Sequence, residues 1–563
     1  MSAVSGLKRS NRAKDLKKIW HEPVLLGVIL LVIISLIIFI IYPLASILVQ
    51  SISPKTGGIS LASYVDVLGN SSFQLALKNT LVLGTIVGTL ATLIGFVFAY
   101  ADSYIKTRFK GIFKVVSLLP IVSPPFVLAL SAIMLFGQRG LITMRLLGLS
   151  DFNIYGLKGL VMVQVMTFFP VSYLMLVGLL GNIDPSIEES ARNMGASRWK
   201  VFTSTTLPLM LPGIANSFLI TFIEVVADFA NPMAIGGSYS TLATQIYLQA
   251  VGNYNMDTGT ATAVILLVLS IGLFVFEKYW IERKSYITIT GKAARGRVLI
   301  EDKSVVIPIN IFCVCVTIFV LSFYLLIPLG SFFKLWGMDY SLTTKHYKYI
   351  FDMGFKPFVD TVYLSAIATP ICGLLSMVIA FLVVRKKFIG KGFVEFSSLL
   401  AMAVPGTVLG LGYVIAFNKP PIYLTGTMFV IIIAFVVRSL PVGVRSGVTS
   451  LNQIDPAIEE AACDLGASTK KVFTSITLPL ISPAFFSGLV YTFVRSMTAV
   501  SAVIFLVTPK FQLITAQIMA QVDVGRFGPA SAYSTVLIVL VYSAIMVIGF
   551  ILKVLGLTKE VRT

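Results

Sequence analysis

Twelve stretches of this 563-residue chain are each long and apolar enough to cross a lipid bilayer, and that bounds what it can become. A helix needs about 20 apolar residues to span the hydrocarbon core. The first six runs lie near 24–49, 79–101, 115–137, 159–181, 208–230 and 259–281. The second six lie near 305–330, 359–384, 395–417, 424–446, 480–505 and 531–553. Helices satisfy every backbone donor and acceptor internally, as lipid demands. The expected fold class is therefore an all-α polytopic membrane protein of about 12 transmembrane helices. Composition agrees: 56% of residues are apolar and only 12% charged, against about 25% charged in soluble domains. The first run follows a basic start but is too long for a signal-peptide core, so it reads as an uncleaved span.

The formal charge of +19, from 44 Lys+Arg against 25 Asp+Glu, needs its own account. A nucleic-acid partner would call for a basic patch on a soluble domain. Here the cations sit in short clusters between apolar runs. With the N-terminus inside, roughly 30 of the 44 fall on inside segments, among them Lys8, Arg9, Arg12, Lys14, Lys17, Lys18, Lys106, Arg108, Lys110 and Lys114. Lys278, Arg283, Lys284, Lys292, Arg295, Arg297 and Lys303 join them, as do Arg385, Lys386, Lys387 and Lys391. By the positive-inside rule both termini of this multi-pass protein are expected on the cytoplasmic side. Four scattered cysteines give no disulfide or metal framework. His21 and His346, the only histidines, exclude a histidine metal cage.

The chain also contains itself twice. NIDPSIEESARNMGASRWKVFTSTTLPLMLP, from Asn182, returns from Gln453 as QIDPAIEEAACDLGASTKKVFTSITLPLISP. The offset is 271 throughout, pairing Pro185 with Pro456, Glu188 with Glu459, Gly195 with Gly466, Pro208 with Pro479 and Pro212 with Pro483. Each copy follows the fourth span of its six. An even number of spans per half makes the copies parallel, related by an axis along the membrane normal. The expected organisation is a first half at 1–281 with its loop at about 182–207, a cytoplasmic linker at 282–304, and a second half at 305–563 with its loop at about 453–478. In each loop Asp184 or Asp455, followed by Pro, caps a short helix. That helix should end at Gly195 or Gly466. A second short helix, around SRWKVFTST or STKKVFTSI, then leads into Leu-Pro. A well-capped re-entry loop would explain one copy; two near-identical copies point to a shared partner surface.

The duplicated loop resembles the E-A-A-x3-G-x9-I-x-L-P signature of type I ABC-transporter permeases of the importer class. The second copy matches it fully at Glu460, Ala461, Ala462, Gly466, Ile476, Leu478 and Pro479. The first keeps Glu189, Ala191, Gly195, Leu207 and Pro208, with Ser190 and Thr205 as departures. The resemblance covers nearly the whole chain, as two fused six-helix permease halves. It implies that Glu188, Glu189, Gly195 and Ala196, with Glu459, Glu460, Gly466 and Ala467, form ATPase-coupling loops. It also implies two copies of an ABC ATPase subunit, a periplasmic substrate-binding protein, and alternating access between them. More narrowly, ADFANPMAIGG at Ala227 and FVRSMTAVSAVIFL at Phe493 resemble fused permeases of the ferric-iron uptake branch. Phosphonate-type and sugar-phosphate-type permeases are close relatives of that branch.

No G-x-x-x-x-G-K-[ST] occurs; GKGF at Gly390 and GKAARG at Gly291 lack the leading glycine and the Ser/Thr. The chain is expected to be no enzyme and to carry no cofactor, with hydrolysis on separate subunits. Charges inside spans are costly and mark function. Four stand out here, Glu224, Asp228, Arg438 and Arg495. Since 224 + 271 = 495, Glu224 and Arg495 hold equivalent positions in the two halves. In the resembled family these spans face each other across the pathway, so a hypothesis follows that Glu224 and Arg495 meet as a gate or substrate contact. Asp228 is expected one turn beyond Glu224 on the same face. Two carboxylates suit a hard cation such as Fe³⁺, while an arginine better suits a chelated or anionic form. No complete ligand set appears, so a metal site is not assigned. Arg438 reads as a structural partner for a carbonyl or carboxylate. Glycines such as Gly84, Gly88 and Gly95 read as helix-contact residues. The expected function is the permease subunit of an ATP-driven ferric-iron importer. Its rivals are a phosphonate or sugar-phosphate importer and an ion-driven secondary transporter.

Overall fold

The computed structural model describes residues 23–53, 58–124, 126–149, 151–281 and 298–554. The N-terminal cations from Lys8 to Lys18, His21 and most of the 282–304 linker lie outside these described residues. Among the described residues, ten helices are long and apolar enough to span a membrane, and a helix pair bent by 112° makes an eleventh. The run near 480–505 forms a further helix, Leu478–Met497. Among the described residues the structure is all-α apart from two short antiparallel pairs, Phe333–Leu335 with Asp339–Leu342 and Asn418–Lys419 with Ile422–Tyr423, and two isolated bridges.

Two expected single spans are broken. The run near 395–417 is Lys391–Ala403 followed by Gly406–Phe417, the bent pair. Pro405 forces the residue before it out of the helical region, and Val404 has ψ 119°. In the first repeat Lys110–Val122 and Phe126–Phe136 are separated in the same way at 123–125, with Ser123 at ψ 155° before Pro124.

The chain divides into two compact units. One comprises Met1–Gln50, Lys356–Leu513 and Val539–Thr563; the other comprises Ser51–Phe355 and Ile514–Ile538. These units cut across the sequence halves, because the first span of each half packs within the unit built mainly from the other. Pro23–Ile52 is apolar all round yet buries one stripe, Ile29, Val32, Leu36, Ile40, Leu44 and Ile47, at helical spacing. One reason it docks is local. Pro43 has no N–H to give Phe39 four residues earlier. The Phe39 carbonyl instead accepts from the buried Tyr413 hydroxyl at 3.0 Å. In the other unit, Lys303–Ser331 lies along Phe126–Phe136, where Ser131 Oγ donates to the Phe323 carbonyl at 2.7 Å. Its Tyr324 hydroxyl meets Ser123 Oγ at 2.5 Å.

The glycines read as helix contacts serve that purpose. A Cβ on Gly84 would strike Phe222, one on Gly88 would crowd Phe218, and one on Gly95 would strike Ser172 Cβ at 2.6 Å. The last crossing recurs in the second repeat with its residues exchanged. There Gly443, at the position matching Ser172, lies against Ser376. One small residue on each side lets the two helices approach, and either order works.

Candidate functional site

Each duplicated loop starts with an aspartate that replaces a missing backbone partner. Asp184 Oδ1 accepts from the Ser186 N–H at 2.9 Å, and Asp455 Oδ1 from the Ala457 N–H at 3.0 Å. The N–H and hydroxyl of Ser186 hold the Asp184 carboxyl below the usual carboxylate range. The helices so capped are Pro185–Asn193 and Pro456–Asp464. Both end in the same way. Gly195 and Gly466 adopt φ +85° and +86°, a conformation glycine adopts without a Cβ penalty. Ala196 N–H then reaches the Ala191 carbonyl at 3.1 Å, and Ala467 N–H the Ala462 carbonyl at 3.0 Å. These long return bonds complete a Schellman cap.

The expected second helix of each loop is not separate. Arg198–Val201 runs through a π-turn at Phe202–Thr206 into Leu207–Ala227. Thr469–Val472 runs through Phe473–Thr477 into Leu478–Met497 in the same manner. Pro208 and Pro479 directly follow the π-turns, where the regular ladder of helix hydrogen bonds is already interrupted. The segment therefore continues as one rod.

Between cap and rod sits a buried carboxylate. Glu188 and Glu459 are each 9% exposed. Glu188 Oε1 accepts from Thr206 Oγ1 at 2.7 Å and from the Tyr104 hydroxyl at 2.6 Å. Glu459 Oε1 accepts from Thr477 Oγ1 at 2.8 Å, while its Oε2 pairs with Arg385 Nε at 2.8 Å. The neighbouring motif residues face outward: Glu189 is half-buried and Glu460 exposed. At the tip, Met194 is 82% and Leu465 89% exposed, so each loop presents one large apolar side chain just before its glycine. Sequence reading found the glutamates and glycines but not Thr206, Thr477, Tyr104 or Arg385. The threonines could have been found, since they share the 271 offset and directly precede Leu-Pro.

In the first repeat the end of the linker joins this loop. Ile300 bridges the chain beside Tyr104, its N–H donating to the Tyr104 carbonyl at 2.7 Å and its carbonyl accepting from the Lys106 N–H at 3.1 Å. Asp302, which caps Lys303–Ser331, lies 3.7 Å from Arg198.

The charges within spans occupy different settings. Glu224 is half-buried near the end of Leu207–Ala227, and Arg495 occupies the matching turn of Leu478–Met497. Asp228 does not continue that helix. The rod stops at Ala227, and Asp228 turns out with ψ 127°. Pro232 has no N–H for the carbonyl four residues before it, but the matching helix also ends, at Met497, with Val503 at the equivalent position, so the break does not depend on the proline. Asp228 Oδ2 accepts from Gln164 Nε2 at 2.7 Å and Asn231 Nδ2 at 2.8 Å, and Oδ1 from the Ala230 N–H at 3.1 Å. The matching positions in the second repeat are Phe435, Ala502 and Ala499, so this cluster belongs to the first repeat alone. Arg438 donates to the Val404 carbonyl at 2.8 Å, at the break of the bent pair. It is the carbonyl partner its position implied. Among the described residues, no group of three or more His, Cys, Asp or Glu side chains is placed to hold a metal ion.

Fold and loops together define a polytopic permease built from two repeats. A family model described as "binding-protein-dependent transport system inner membrane component" matches twice, over residues 91–284 and 372–556. The chain belongs to that family. It is 38% identical over 549 residues to the ferric transport system permease protein FbpB of Actinobacillus pleuropneumoniae, covering 95% of this chain and 79% of that one. A Haemophilus influenzae ferric transport system permease protein, FbpB 1, is also 38% identical, over 88% of this chain and 79% of its own length. Among solved structures, a chain of a bacterial alginate ABC transporter matches at 19% identity and a TM-score of 0.42, over 48% of this chain and 98% of that one.

Proposed function

We propose that this chain is the transmembrane subunit of a ferric-iron importer, receiving its substrate from a periplasmic binding protein and driven by separate ATPase subunits. The observation that carries the substrate assignment is the 38% identity, over nearly the full chain, to relatives named for ferric transport. The observation that carries the drive is the duplicated loop. Two copies of one cap, one left-handed glycine and one exposed apolar tip support docking of the same partner twice. Two ATPase copies, one beneath each loop, are the partners we assign.

In this reading Glu188, Glu189, Gly195, Ala196, Glu459, Glu460, Gly466 and Ala467 form the coupling surface. The loops and both termini lie on the cytoplasmic side, as the clustered cations support. The two repeats, 1–281 and 305–563, are joined by the 282–304 linker. Closure of the ATPase pair draws the loops together and opens the route outward; hydrolysis reverses the motion. Glu224, Asp228 and Arg495 are the groups we assign to the route, Asp228 through the helix break it holds open.

Reconstitution tests the whole reading. Proteoliposomes holding this chain, its ATPase and the ferric-loaded binding protein should import iron only with ATP. Uptake by the chain alone under an ion gradient would overturn the drive. Uptake of a phosphonate or sugar phosphate in place of iron would overturn the substrate.

A further inference from the structure

We infer that Glu188 and Glu459 are positioning residues that latch each loop helix at once to the long helix before it and to the rod after it. This inference rests on the coupling role proposed for the loops. The first ground is burial. A carboxylate is excluded from water only where partners replace the lost solvation; Glu188 has two hydroxyl donors and Glu459 a hydroxyl donor and the Arg385 ion pair, in each case on two separate helices. Thr206 and Thr477 close their π-turns at the head of the rods Leu207–Ala227 and Leu478–Met497. Tyr104 and Arg385 are the last residues of Ser71–Tyr104 and Lys356–Arg385. Each latch therefore ties three elements through one side chain.

The second ground is position. A glutamate that serves its own helix sits three residues after the cap residue and reaches back to the cap N–H. Glu188 and Glu459 sit four residues after Asp184 and Asp455 and face inward instead. A capping box therefore does not account for them.

The third ground is how the repeats have diverged. Glutamate and threonine are the same in both copies, whereas the third member is a neutral Tyr104 in one and a cationic Arg385 in the other. The connection is kept although its chemistry has changed. Each copy is also braced from behind. Arg385 Nη2 donates to the Leu451 and Ile454 carbonyls at 2.9 and 3.0 Å, at the end of Met428–Asn452. The Tyr104 carbonyl is held by Ile300 of the linker end. A displacement of either loop thus reaches the helices of its repeat through a closed set of bonds. In the first repeat it also reaches the start of Lys303–Ser331 through Asp302.

The test separates transmission from docking and from folding. The full chain, assembled with its ATPase and with binding protein carrying ferric iron, is compared as wild type, Thr206→Val, Thr477→Val, Thr206→Ser, Thr477→Ser and Tyr104→Phe. Two quantities are read: ATPase subunit retained on purification, and ATP hydrolysed per iron imported. Valine keeps the shape of threonine and removes its donor. The valine variants should retain the ATPase fully, yet consume about tenfold more ATP per iron, in line with the loss of one hydrogen bond to a charged group. The serine variants, which keep the hydroxyl, should hold the wild-type ratio. Tyr104→Phe, which removes one hydroxyl, should raise the ratio as well, and so tests the latch should the valine chains fold poorly. A wild-type ratio in the valine and phenylalanine variants overturns the latch, as does equal damage from serine and valine. The coupling reading itself fails on a different result: undiminished ATPase retention when Met194 and Leu465 are both replaced by Asp.

Discussion

A carboxylate shielded from water is only as secure as its donors, and the two latch glutamates have donors of unequal strength. Removing Arg385 leaves Glu459 with a hydroxyl alone, and breaking a buried pair from one side costs about 3–5 kcal/mol. Tyr104→Phe takes one hydroxyl donor from Glu188 and should cost about 1.5–3 kcal/mol. Thermal unfolding of the purified chain should therefore fall further for Arg385→Met than for Tyr104→Phe, and Glu459→Gln added to Arg385→Met should recover part of the loss. Equal losses would contradict the assigned pairing. Gly195→Ala and Gly466→Ala probe the caps. Nothing lies within 4 Å of an added Cβ at either glycine. Strain then comes from the backbone alone, at about 1–2 kcal/mol for a left-handed residue. ATPase retention should fall severalfold, with a loss of thermal stability no larger than that strain. What was legible here was what repeats: caps, glycines and glutamates all share one offset. Tyr104 and Arg385 were hidden because they differ in chemistry and lie far from the loops in sequence, 84 residues in the case of Tyr104 and Glu188. Asp228 was misread as helical because its neighbours are apolar and the break after Ala227 leaves no mark in hydropathy.

At the scale of whole elements, helical periodicity located the spans but not their breaks. Proline removes one donor and restricts the residue before it, and both effects are too local to disturb a 20-residue hydropathy window. The bent pair survives because a partner was supplied for its broken turn: Arg438 meets the Val404 carbonyl. Arg438→Leu should therefore destabilise the chain by about 1–3 kcal/mol, the desolvation cost of an unmet buried acceptor. An unchanged melting temperature would show that the carbonyl finds another donor. The small-residue crossings offer a sharper test. Gly443→Ser should clash with the Ser376 side chain, whose Cβ lies 2.7 Å from the added Cβ. Overpacking of this kind costs about 1–3 kcal/mol. Adding Ser376→Gly should relieve it by rebuilding the order found in the first repeat. A double variant no more stable than Gly443→Ser would mean the two crossings are not interchangeable.

For the molecule as a whole, the sequence repeat and the packing units are different divisions of one chain. Internal similarity reports where residues match, not which neighbours they choose. The offset of 271 located both loops but carried no sign that Pro23–Ile52 would join Lys356–Leu513. That exchange has a consequence for how the protein is made. Pro23–Ile52 waits for its neighbours in Lys356–Leu513 until more than 300 residues have followed. Until Tyr413 arrives, the Phe39 carbonyl lacks the hydroxyl it accepts from in the folded chain. Neither half, synthesised alone, could finish its own unit. Fusing the halves into one polypeptide ensures that every first helix is delivered with the neighbours it awaits, in equal number and in the same membrane.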